Sequence, residues 1–205
     1  MSAVVEHDKR RREILEKALD VFVEEGYSDT TFQKIADRCG ITRTILYLYF
    51  KNKREVFIFS IKLFTEVLES RLREVADDAQ LSAVKKLERL MELIIGESSG
   101  QKKLLTVICD YLMYLARTGG DPYQRLRRRT IRVRHILSGV LIHGQKQGEL
   151  AKLPVKVVID MLYSMLEATV FRATILSRTE SSDLLAAAKL FIGRLGVCRA
   201  LEREE

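Results

Sequence analysis

Proline is scarce in this chain, with two residues, Pro122 and Pro154, in 205. Alternating β-branched runs are also few. Together these shortages argue against a sheet-built protein and for an all-α one. Cysteine is no more abundant. Cys39, Cys109 and Cys198 form an odd set without paired spacing, which excludes a disulfide framework and a cysteine-based metal site; buried or idle thiols in a reducing cytoplasm are expected. No uncharged apolar stretch approaches the ~18 residues that a transmembrane helix needs. The apolar run near Ile136–Ile142 falls far short, so no membrane partner is expected. The opening residues are polar and then basic with no apolar run behind them, unlike a secretory leader. Glycine-rich phosphate loops and nucleophile elbows are missing too. His135 and His143 stand eight apart, about 12 Å along a helix, too far to share a metal. The expectation is a non-enzyme without metal or cofactor.

Charge excludes less. The formal net charge is +7, but residues 1–54 hold 11 Lys/Arg against 9 Asp/Glu, a balance of +2. An anionic partner therefore cannot be argued from total charge, and local pattern has to carry it.

Helical periodicity is what the chain has in quantity. The face Ile14, Leu15, Ala18, Phe22 predicts a helix over residues 8–25, with Gly26 as its C-terminal stop. Thr30 and Gln33 have the spacing of a capping box, which opens a short helix over 31–39. Gly40 turns the chain, Thr42 caps a helix over 43–49, and Asn52 with Glu55 starts one over 53–75. Further amphipathic segments are expected over 82–96, 101–117, 122–147, 154–178 and 181–203. The fold class is all-α with about nine helices: a three-helix helix-turn-helix DNA-binding domain over 1–54, then a helical effector-binding and dimerisation domain over 55–205.

Two short helices joined by a glycine turn form a DNA-reading platform when their inner faces are apolar. Phe32, Ile35, Ala36, Ile45, Leu46 and Phe50 are expected to face inward. Thr42, Arg43, Thr44, Tyr47, Leu48 and Tyr49 are left outward. Exposed tyrosines on so short a helix suit phosphate contact through their hydroxyls. Arg43 suits bidentate recognition of guanine, worth about 1–3 kcal/mol of discrimination. Arg10, Arg11 and Arg12 either track the DNA backbone or form a solvated basic end.

The pattern Gly26-Tyr27-x-x-Thr30-Thr31-x-x-x-Ile35-Ala36-x-x-Cys39-Gly40-Ile41-Thr42-x-x-x-Leu46-Tyr47-x-Tyr49-Phe50-x-Asn52-Lys53-x-x-Val56 resembles the DNA-binding domain of the tetracycline-repressor (TetR) family. The resemblance implies an Ω-shaped homodimeric repressor released from DNA by a small molecule. It implies phosphate contacts from Thr31, Thr42, Tyr47, Tyr49 and Lys53, and base contacts from Arg43 and Thr44. Thr44 stands where many members carry a smaller residue, commonly Gly.

Beyond residue 55 the apolar surface serves a core, a ligand cavity, or both. Tyr111, Tyr114, Met161, Tyr163 and Met165 combine adaptable bulk with hydroxyl tips and are the candidate effector residues, with Arg128 and Arg132. The two arginines belong to the run Arg125–Arg134, in a stretch without Asp or Glu from Pro122 to Gly148. That run is either a solvated face paired with acids such as Glu66, Glu69 or Glu74, or a site for an acidic effector or a cofactor-thioester phosphate. Wide apolar faces on the last two helices fit a two-fold four-helix bundle. The expected partners are thus an operator duplex, a second copy of the chain and a small, largely apolar effector. An activator, a regulator governed by a protein partner, and a helical enzyme or carrier remain alternatives at this stage.

Overall fold

The computed structural model describes residues 2–176 and 182–197, apart from the side chains at 2–4, 98–99, 123 and 125–129. Nine α-helices occur among the described residues: α1 Ser2–Asp29, α2 Phe32–Cys39, α3 Arg43–Tyr49, α4 Lys53–Asp77, α5 Ala83–Gly100, α6 Lys102–Arg117, α7 Pro122–Lys146, α8 Val155–Thr174 and α9 Ser182–Leu195. The chain is all-α, as its periodicity predicts. The expected ends at residues 178 and 203, and Cys198, lie outside the described residues.

Two boundaries differ from expectation for visible reasons. α1 starts at Ser2, well before Asp8, and its regular course breaks at Gly26, whose φ of 81° and ψ of 164° favour a residue without Cβ. α5 continues past Gly96 to Gly100, since no residue there stops a helix: Gln101 N–H still reaches Glu97 O at 3.1 Å.

The chain forms two compact units. The first comprises Met1–Val67 and Lys103–Leu126, the second Leu68–Lys102 and Arg127–Glu205. These do not coincide with a division between residues 54 and 55. The first core needs Val56, Phe57 and Ile61 from α4, and Leu104, Val107, Tyr111 and Leu115 from α6. Those residues close over Ile14, Ala18 and Phe22 of α1, Phe32 and Ile35 of α2, and Leu46 of α3. One long helix and two short ones bury too little surface alone, so the platform also draws on α4 and α6. Ser60 ties α4 to α1, its hydroxyl donating to Leu15 O at 2.8 Å.

In the second unit, Leu87, Leu90 and Met91 of α5 meet Leu137 and Leu141 of α7, Val158, Ile159 and Leu162 of α8, and Ala188, Ile192 and Leu195 of α9. Gly144 of α7 allows a close approach: a Cβ there would lie 2.4 Å from Ala83 Cβ. After α9 the chain is pinned by two backbone bonds, Ala151 N–H to Leu195 O at 2.8 Å and Val197 N–H to Glu149 O at 3.0 Å.

Candidate nucleic-acid interface

The turn between α2 and α3 is built by local chemistry. Thr31 caps α2 from an extended conformation, its Oγ1 accepting from Lys34 N–H at 3.2 Å. Gly40 closes α2 with φ 67° and ψ 35°, the left-handed conformation that a side chain would strain. Thr42 caps α3 in the same way, accepting from Ile45 N–H at 3.2 Å. Each cap is worth about 1 kcal/mol. The expected capping box is displaced by one residue: Thr31, not Thr30, is the cap. Thr30 is buried and its hydroxyl donates to Gly26 O at 2.6 Å, while Gln33 donates to Asp37. Buried polar groups must find partners, and the broken end of α1 claims Thr30. Asn52 and Glu55 do cap α4: Asn52 Oδ1 accepts from Glu55 N–H at 2.9 Å, and Glu55 reaches back to Lys51 N–H at 2.6 Å.

Leu46 is the residue of α3 that is fully buried, and Phe50 follows it into the core. Ile45, expected inward, is instead 40% exposed. A helix under two turns long presents one narrow face, and Leu46 occupies it. Thr42, Arg43, Thr44, Tyr47 and Leu48 are exposed together, and Thr31 is exposed at the start of α2. One Arg43 guanidinium nitrogen donates to Tyr47 Oη at 3.1 Å. Tyr47 also lies 4.7 Å, centroid to centroid, from the Phe32 ring. These two contacts hold the Arg43–Tyr47 pair in place at the surface.

Tyr49 and Lys53 are less free than expected. Tyr49 is half-buried and stacks on His7 at 4.7 Å. The Lys53 ammonium donates to Tyr27 O at 2.8 Å and to Ser28 O at 3.0 Å, and lies 4.7 Å from the Tyr27 ring centroid. Burial pushes its pKa below the ordinary value, against the pull of Asp29 and Asp110. From α6, Asp110 accepts the Tyr27 N–H at 3.1 Å. The C-terminal corner of α1 is thus held from α4 and α6 together. Burial, reinforced by Tyr111 and Tyr114, pushes the Tyr27 phenol up to about 12.

Arg10, Arg11 and Arg12 have three different environments. Arg10 pairs with Glu13 at 3.0 Å, Arg11 lies over the rings of Phe50 and Phe59 at 4.9 and 4.2 Å, and Arg12 is exposed. His7 and Arg11, four residues apart, extend the line of the face that begins at Ile14, with Arg11 partly buried and His7 exposed, and that spacing was the available signal. Nothing in the sequence around Asp110 announced its role.

The effector candidates divide between the units. Tyr111 is buried in the first unit's aromatic cluster, 4.6 Å from Tyr27 and 4.8 Å from Phe57, and its hydroxyl has no hydrogen-bond partner among the described residues. Tyr114 is 5.3 Å from Tyr27 and partly exposed. In the second unit Tyr163 donates to Thr130 O at 3.0 Å, with the Arg134 guanidinium 4.0 Å from its ring centroid. Arg132 pairs with Glu69 at 2.9 Å, one of the acids expected to meet this run, and Arg134 pairs with Asp160 at 2.7 Å. Met165 packs partly buried on the second core, whereas Met161 is exposed on α8. The Arg128 side chain lies outside the described residues. No group of three or more His, Cys, Asp or Glu among the described residues could hold a metal ion, and none of the described helices is long and apolar enough to cross a membrane.

Residues 14–58, which contain this platform, match the family described as bacterial regulatory proteins, tetR family. Residues 14–58 form a TetR-family DNA-binding domain. The likeness extends well beyond that domain. The chain is 28% identical over 178 residues to a fatty acid metabolism regulator protein of Bacillus subtilis, covering 85% of this chain and 87% of the other. It is 29% identical over 142 residues to an HTH-type transcriptional repressor of Mycobacterium tuberculosis, 69% of each. Among solved structures, the regulator FadR of B. subtilis in complex with stearoyl-CoA superposes with a TM-score of 0.73 at 22% identity, over 88% of this chain and 96% of that one. A TetR transcription regulator from Haloarcula marismortui gives 0.77 at 20%, over 92% and 97%. At such identities the structures establish a shared TetR fold. Thr42, Arg43, Thr44 and Tyr47 lie together on the exposed side of the second short helix of that domain.

Proposed function

We propose that the chain is a cytoplasmic repressor that binds a pseudo-palindromic operator as a homodimer and leaves it when a long-chain acyl thioester binds its C-terminal helices. The observation that carries the DNA half is the exposed, pre-positioned Arg43–Tyr47 pair beside Thr44 on a helix whose opposite side is core. Arg43 reads a guanine; Thr31, Thr42, Tyr47, Tyr49 and the remaining N–H of Lys53 contact phosphates.

The dimer is proposed through α8 and α9. Val157, Met161 and Phe171 are exposed on α8, and Ile175 is exposed at its C-terminal cap. With Ser164 and Ala168 they form a stripe at alternating spacings of four and three, the pattern of a helix that packs against another helix. On α9 the exposed residues Ala186, Leu190 and Gly193 follow the same rhythm, with small residues that let helices approach. A stripe of this length left in water would be a large apolar patch for a monomer.

The effector class is suggested by the relatives: one is named for fatty acid metabolism, and one was solved with stearoyl-CoA. The acid-free basic stretch from Pro122 to Gly148 suits the phosphates of coenzyme A. Arg128 and Arg132 are the proposed phosphate contacts, and Tyr163 and Met165 the proposed neighbours of the apolar portion.

The test is fluorescence anisotropy on a duplex recovered from random DNA by the full-length protein. Arg43→Ala should weaken that duplex far more than random DNA. Stearoyl-CoA should release the wild type from DNA. It should release Arg128→Glu plus Arg132→Glu much less, with that variant still DNA-bound. Equal weakening on both duplexes refutes the reading role of Arg43, and undiminished release of the double variant refutes the effector assignment.

A further inference from the structure

We infer that the outward pole of α3 recognises thymine through its C5-methyl group, with Leu48 as the specificity-determining side chain and Thr44 beside it. The inference rests on the DNA-binding function proposed above and adds which bases the helix selects.

The argument begins with helix geometry. An α-helix turns about 100° per residue. Leu46, with no exposed surface, fixes the inward direction of α3. Thr44 and Leu48, two residues before and after it, then lie about 160° from that direction on either side, roughly 40° apart. They straddle the point of α3 farthest from the core. Arg43 and Tyr47 lie on one flank, joined by their 3.1 Å hydrogen bond. Ile45 and the half-buried Tyr49 lie on the other.

Leu48 is 75% exposed, more than any other large hydrophobic side chain among the described residues. Isolated surface leucines are ordinary. This one stands at the centre of the face that a recognition helix inserts into the major groove, where a polar residue would be expected to meet base edges. Leucine has no donor or acceptor, so it can read only an apolar feature. The major groove offers one, the C5-methyl of thymine. Cytosine or adenine at the same place would lose water from its amino group against Leu48 and gain no partner, so the side chain excludes as well as attracts. Thr44 places a second methyl within the same 40° sector, next to a hydroxyl that accepts other bases. Arg43 on the flank adds guanine. The half-site should therefore carry one or two thymines at the centre of the α3 footprint, with a guanine beside them.

The experiment uses the full-length protein and the duplex it enriches from random DNA. Each thymidine is replaced in turn, in both half-sites, by deoxyuridine, which removes the C5-methyl and leaves pairing intact. Burial of one methyl-sized group is worth about fourfold in affinity. Wild type should thus lose on the order of tenfold across the two half-sites at one or two positions. Leu48→Ala should bind the parent duplex correspondingly more weakly and show no further loss from deoxyuridine at one of those positions. Its thermal unfolding should match wild type, because the side chain is exposed. An enriched duplex indifferent to deoxyuridine everywhere overturns the inference and leaves DNA recognition standing. The same holds if Leu48→Ala remains as sensitive as wild type at every position. Failure to enrich any sequence overturns both.

Discussion

Lys53→Ala separates what this lysine does for the fold from the phosphate contact proposed for it. In the structure two of its three ammonium N–H groups are committed, to Tyr27 O at 2.8 Å and Ser28 O at 3.0 Å, just after α1 breaks at Gly26. Hydrogen bonds to a charged group contribute about 1.5–3 kcal/mol each when shielded from water. Lys53 is only half-buried, so the lower figure applies, and about 1 kcal/mol of side-chain entropy is recovered on truncation. The net loss is about 2 kcal/mol, which for a chain of this size lowers Tm by roughly 4–8 °C. Thermal unfolding followed by circular dichroism measures it, with the exposed neighbour Lys51→Ala as a control that should stay at the wild-type Tm. The DNA role is read separately, from affinity against salt concentration. If the third N–H meets a phosphate, the logarithmic slope falls by about 0.9 per protomer. A variant that melts with wild type refutes the structural reasoning, whatever its slope.

Other perturbations test the second unit. Gly144→Ala gains about 1 kcal/mol of helix propensity but sets a Cβ 2.4 Å from Ala83 Cβ and 2.7 Å from Leu150 Cδ1; backbone-anchored overpacking costs about 3 kcal/mol, so urea unfolding should show a net loss of about 2 kcal/mol. Burial, only partly offset by the Arg134 guanidinium, pushes the Tyr163 phenol up to about 12 from 10. The folded chain then holds a proton that the unfolded chain releases, so the stability this group contributes is full below pH 10 and is lost between pH 10 and 12. Stability of Tyr163→Phe, measured by denaturant titration across that window, should fall less steeply than that of wild type. Met161→Glu with Phe171→Glu should sediment as a monomer and bind the full operator at least a hundredfold more weakly, since linking two half-site contacts supplies that factor; a dimer persisting in the double variant would refute the α8 stripe as the interface.

Sequence legibility followed the range of the forces involved. Caps act within three residues, so Thr42, Gly40 and Asn52 could be read directly, and the one slip, Thr30 for Thr31, came from a longer-range partner, the Gly26 carbonyl. Periodicity located every helix, because burial of one face repeats every turn. It failed for Ile45, where a seven-residue helix is too short to average over. Side chains that act across the fold were opaque. Lys53 was legible as a basic residue at a helix start, but its carbonyl partners lie 26 and 25 residues away. Asp110 meets Tyr27 from 83 residues away. The effector candidates suffered most. Aromatic and methionine content marks residues that could line a cavity, yet the same content builds cores, and Tyr111 sits in one aromatic cluster while Met161 lies on an outer helical stripe. Chemistry alone could not divide those roles, because what separates them is which neighbour arrives. For α3 the opposite holds. Its neighbours are fixed by Leu46, so the remaining faces are fixed too, and that is what the two proposed base contacts rest on: guanine for Arg43, a methyl for Leu48.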